Sequence, residues 1–179
     1  MKNIIKIMIL SVFAATLFVS CNEEDNYGTD FSVQILAGEW AVTTPESLVD
    51  SIGETWRLRT SNTVDNSKNA LLLTDAKSFW KFIVTVPFDL SNTSFGQNDT
   101  VVNQYYDVHD ESPVIEPYDI GVIVKNGKVT PQAITLPSGW KADKISFTIA
   151  FGNDNYTEYN IAGYRISGFL EDAGYVYRE

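Results

Sequence analysis

From Leu36 onward the chain alternates apolar and polar residues with a period of two. Leu36, Gly38, Trp40 and Val42 share one face; Ala37, Glu39, Ala41 and Thr43 share the other. Successive strand residues point to opposite sides, so this spacing predicts a strand with one buried face. Trp56 and Leu58 alternate with Arg57 and Arg59 in the same way. The strongest run is Trp80, Phe82, Val84, Val86 and Phe88, all at spacing two. Ala70 to Leu73 and Val101 to Val108 are shorter candidates. Ile145, Phe147, Ile149 and Phe151 alternate with Ser146, Thr148 and Ala150. Tyr156 to Phe169 reads as a last long strand, in which Gly163 and Gly168 predict a bulge or bend.

Turn residues punctuate these runs. Thr44-Pro45-Glu46-Ser47 breaks the first strand, and Glu46 to Ile52 suits one helical turn. Asn126-Gly127 sits between Ile120–Lys125 and Lys128–Ile134 and accepts positive φ, which predicts a type I′ hairpin there. Pro137-Ser138-Gly139 and Gly152 to Asn155 are further turns. No long helical periodicity follows residue 20. The expectation is all-β: a single antiparallel barrel of about eight strands, or a β-sandwich.

The first 20 residues follow a different pattern. Lys2 and Lys6 precede a mostly apolar run from Ile7 to Val19, and Ser20 is a small residue before Cys21. This is the pattern of an export leader. The run is shorter than the roughly 18–20 residues a membrane-spanning helix needs. Cys21 is the only cysteine, so it has no partner for an internal disulfide. Phe18-Val19-Ser20-Cys21 resembles a bacterial lipobox, and the acidic Glu23-Glu24-Asp25 behind it resembles the surface-export signal of Bacteroidetes lipoproteins. The resemblance implies diacylglycerol and an N-acyl chain on Cys21, with a place in the outer membrane at the cell surface. The expected organisation is a leader over 1–20, an acylated flexible tether over 21–30 and a β domain over 31–179.

Removing 20 residues from 179 leaves 159, enough for one domain with a real core. The leader carries two lysines and no acids, so the net charge of −10 becomes −12. A chain this acidic, without a basic cluster, argues against nucleic acid and anionic lipid as partners. The expected partners are the membrane, through the anchor, and a small apolar ligand. Aromatic residues make up 13% of the chain, and Trp56, Trp80, Phe82, Phe147 and Phe151 all fall on apolar strand faces. In an eight-stranded barrel that face points inward, where it fills the core or lines a ligand cavity.

Gly38-Glu39-Trp40 on the first strand resembles the G-x-W element of lipocalins and other calycin-like barrels. There the Trp closes one barrel end and an Arg near the last strand packs over it. Arg165 is the candidate for that Arg, with Arg178 in reserve. The leader, this strand and the chain length together resemble small Bacteroidetes lipoproteins described as lipid-binding putative hydrolases. The resemblance implies lipid binding and hydrolysis.

The residues say less about catalysis. His109 is the only histidine, set among Asp107, Asp110 and Glu111. It is the one candidate base, and no G-x-S-x-G elbow accompanies it. One His and one Cys argue against structural zinc. Asn153, Asp154, Asn155 and Glu158 offer oxygens but miss the spacing of an EF-hand loop. No metal or cofactor is expected. The leading expectation is a container for an apolar or amphiphilic molecule. The rivals are a small lipid or ester hydrolase and a glycan-binding or structural accessory β-sandwich.

Overall fold

The computed structural model describes residues 33–76, 79–108 and 115–178. Residues 1–32, with the leader, Cys21 and the tether, and His109 lie outside the described residues. Ser32–Glu179 forms one compact unit.

The alternating stretches become strands β1 (Gly38–Thr43), β2 (Thr55–Asn62), β3 (Ala70–Ala76), β4 (Lys81–Asp89), β5 (Ser94–Phe95), β6 (Val101–Val102), β7 (Tyr106–Val108), β8 (Ile115–Pro117), β9 (Gly121–Thr135), β10 (Lys141–Phe151) and β11 (Tyr159–Arg165). Eight of them, β1 to β5 and β9 to β11, close into an antiparallel barrel in chain order, with β11 returning to β1. Closure rather than two stacked sheets decides between the barrel and the sandwich. It also removes the exposed edges that an open sheet carries.

The period-two pattern predicts the inside correctly. Trp40, Val42, Trp56, Leu58, Phe82, Val84, Phe147 and Phe151 are buried in one continuous cluster. Between β4 and β9 the wall is thin, because β5 has two residues and β6 two. Asn103 completes it. Its carboxamide accepts from Ile83 N and donates to Lys81 O, both at 2.9 Å, in place of a strand neighbour.

Three sequence expectations are corrected. Asn126-Gly127 is not a hairpin turn, because β9 runs straight through it. Lys128 pairs with Ser146 and Lys125 with Thr148, so two residues of β9 oppose Phe147 alone. This is a β-bulge, with Asn126 at φ 56. Asn-Gly tolerates left-handed backbone in a bulge as readily as in a turn. Gly127 is needed there because a Cβ would strike the Phe95 ring. A second register shift lies opposite Asp143, where Gln132 has φ 51. The true hairpin turn is at Pro137-Ser138-Gly139. Second, the last strand is shorter than expected, Tyr159–Arg165, and Gly163 makes no bulge. Its missing side chain lets β1 approach, since a Cβ would meet the backbone of Ala41 and Val42. Third, the Val101–Val108 strand splits into β6 and β7.

The C-terminal segment is laid along the outside of the wall. Tyr164 Oη donates to Tyr175 O at 2.9 Å, and Thr43 Oγ1 donates to Tyr177 O at 2.6 Å. Tyr175 and Tyr177 pack there on Ile134, Leu136, Ala142 and Tyr164.

Candidate functional site

The barrel has two ends of different chemistry. At the lower end, where β1 begins and β11 finishes, the turn at residues 33–36 delivers Val33 and Leu36 into the core. Trp40 is fully buried there and donates from Nε1 to Thr60 Oγ1 at 2.8 Å. Thr60 Oγ1 in turn donates to Leu36 O at 2.5 Å. The Arg165 guanidinium lies 4.5 Å from the centre of the Trp40 ring. It donates to Ala37 O, to Ile35 O at 2.8 Å, and through Nε to Asp143 Oδ2 at 2.9 Å. Gly38 leaves it room, because a Cβ would collide with Nη1. Gly38, Trp40 and Arg165 therefore meet in one closed end. Arg178 is elsewhere, paired with Glu54 at 3.0 Å.

The upper end is filled by aromatic rings. Trp56 stacks on Phe79 at 4.8 Å, and Trp80 stacks on Phe151 at 4.5 Å. Phe82 packs on Phe151 at 5.8 Å, and Tyr159 meets Phe79 edge-on at 5.7 Å. The helical turns between β1 and β2 add Leu48 and Ile52. Of the aromatic residues singled out in the sequence, Trp56, Trp80, Phe82 and Phe151 come together here. Phe147 sits apart, 5.9 Å from Phe95.

Two polar features shape this end. The Asp75 carboxylate is fully buried, and its Oδ2 accepts from Phe79 N at 2.6 Å and Trp80 N at 2.7 Å. It fixes the β3–β4 connection that carries two of the rings. The second feature is Trp56 Nε1, which is buried and has no hydrogen-bond partner. Trp56 is only 3% exposed, so bulk solvent scarcely reaches it. At the margin, Tyr159 Oη donates to Asp154 Oδ2 at 2.5 Å. That bond, then burial, then the carboxylate's charge push the phenol up to about 12.

Phe79 escapes the sequence pattern, because it is out of phase with the Trp80–Phe88 alternation. Asp75-Ala76-Lys77 reads as a turn in the sequence, but Asp75 and Ala76 are the last residues of β3. The signal available was an Asp four and five residues before two aromatic residues, the spacing of a side chain that accepts from loop N–H groups. Among the described residues no three His, Cys, Asp or Glu converge as a metal site. Two clefts, of about 710 and about 380 Å³, lie outside the wall, the first beneath Tyr177 and Arg178 and the second beside Tyr164 and Tyr175.

A closed eight-stranded barrel, sealed at one end and filled with rings at the other, belongs to the class of small barrels whose interior is filled by side chains or holds one small ligand. The match to known families is more particular. The chain belongs to the family described as lipid-binding putative hydrolase, whose model matches residues 23–170. No curated protein matches it.

Proposed function

We propose that this protein holds one amphiphilic lipid in the upper end of its barrel while anchored to the outer membrane through Cys21. The lipid's apolar chain lies among the aromatic rings, and its polar head accepts a hydrogen bond from Trp56 Nε1. Binding, rather than turnover, is the proposed activity. The observation that carries it is the unpaired indole N–H. Leaving a buried donor unsatisfied costs about 1–3 kcal/mol. Such a cost is tolerated where a ligand supplies the acceptor, and a carboxylate or ester carbonyl is the matching group. Phe79 and Trp80 occupy the space the chain needs, and Asp75 fastens both through their backbone N–H groups. Displacing the β3–β4 connection opens the end without disturbing the strand ladder. The family's lipid-binding description supports this reading. The acylated-cysteine pattern at residues 18–21 supports the anchor.

Calorimetric titration of the delipidated protein with oleic acid tests the proposal. One molecule bound per chain is expected. No binding of oleic acid, its methyl ester or a lysophospholipid would contradict it.

A further inference from the structure

The lower end of the barrel carries an apolar rim, and the topology shows why it is a rim. In a closed meander, alternate connections fall at the same end. The lead-in to β1, the β2–β3, β4–β5 and β9–β10 connections and the exit from β11 therefore share the lower end. Each of these five segments exposes a large apolar side chain. They are Ile35, Val64, Leu90 and Trp140 at the tips, and Phe169 and Leu170 where the chain turns back from β11 along the outer cleft beside Tyr164. Val64 is fully exposed and Leu170 89% exposed. Trp140 and Phe169 lie 6.1 Å apart, so two of the segments touch through their rings. Only three exposed large apolar residues are found elsewhere among the described residues: Val102, Tyr106 and Tyr156.

Loop tips have no folding reason to be apolar, and exposed apolar surface gathered at one end marks an interaction surface. We infer that this rim rests in the surface of a lipid bilayer. Where the chain leaves the barrel argues for that occupant. Val33 begins the described domain at this same end, only twelve positions after Cys21. Twelve residues reach at most about 40 Å when fully extended. The tether joins the barrel at this end, so a bilayer attached at Cys21 meets the rim by the shortest path. The inference rests on Cys21 as the anchor, not on a ligand inside the barrel.

The composition of the rim fits a bilayer better than a second copy of the chain. Apart from the Trp140–Phe169 contact the tips lie on different connections, and polar and acidic residues such as Asp65, Asp89, Ser138 and Glu171 flank them. Trp with Phe and Leu beside polar groups suits the boundary between headgroups and acyl chains, where apolar faces sink about 5–10 Å. A net charge of −10 over the whole chain opposes self-association and adhesion to anionic lipid. Contact is therefore apolar, with a zwitterionic surface and little dependence on salt. It turns the ligand end away from the membrane.

The test couples the protein through Cys21 to maleimide-bearing lipid in phosphatidylcholine vesicles, some of them brominated near the headgroup end of the acyl chain. Trp140 is the one of the four tryptophans that stands exposed. Brominated lipid is expected to quench it, and the quenched component is expected to vanish in Trp140→Phe. In a Phe169→Ser, Leu170→Ser variant the quenching is expected to weaken, at unchanged circular dichroism. Coupled protein whose emission is the same in brominated and plain vesicles would overturn the inference. So would a dimer, seen by sedimentation without lipid, that these substitutions dissolve. Because attachment is chemical, the outcome is independent of whether oleic acid binds.

Discussion

At the scale of single residues, Trp56 separates a binding role from a packing role. Trp56→Phe keeps a ring for Phe79 to stack on and removes the N–H. Losing an unpaired donor offsets part of the lost contact, so stability is expected to change by less than about 1 kcal/mol in urea unfolding. Affinity for oleic acid is expected to fall about tenfold, the worth of one hydrogen bond. A residue that only packed would show the reverse balance. Tyr159 yields a pH dependence. Its phenol is held up to about 12 by Asp154 and burial, against an ordinary value of 10. The unfolded chain therefore loses this proton first as pH rises. The contribution to stability is full below pH about 10 and is lost as pH climbs towards 12. Urea midpoints measured between those values are expected to drop more in the wild type than in Tyr159→Phe.

At the scale of elements, the lower closure is a test of how β1 and β11 are fastened. Arg165→Met keeps length and apolar packing but removes the charge over Trp40 and the donors to Ala37 O, Ile35 O and Asp143. Three charge-assisted bonds and one ring contact are lost, and two carbonyls and a carboxylate lose their partner. An expected cost of about 3 kcal/mol follows, read as a shifted denaturation midpoint. Arg165→Lys is expected to recover only part of it, since an ammonium cannot present the same planar fork. Most strands were legible in the sequence because period-two burial is a local property; Trp40, Trp56 and Phe82 all point where their spacing predicts. Gly38 and Arg165 were legible only by resemblance, since their contact joins residues 127 positions apart. Asn126-Gly127 misled because turn and bulge demand the same backbone. What distinguishes them is whether Phe147 and Phe95 pack across the strand, which local sequence does not encode. Phe79 and Asp75 escaped for a related reason. Phe79, in a loop, and Asp75, near the end of β3, acquire their roles from what the closed barrel brings above them.

At the scale of the whole molecule, the two barrel ends divide the work. The lower end is fastened by Arg165 and edged with apolar tips. The upper end is held by ring stacking, two helical turns and one carboxylate on the β3–β4 connection. Stacked rings separate at little cost compared with breaking a strand ladder, so the proposed entry is through the upper end. The central claim is that a lipid enters there and lies among the interior tryptophans. The most direct measurement uses Trp140→Phe, in which Trp40, Trp56 and Trp80 remain to report from inside. Titration with a fatty acid brominated at mid-chain is expected to quench their emission and to saturate at one equivalent per protein. Emission that stays constant through the titration, with the brominated fatty acid demonstrably free in solution, would contradict the account.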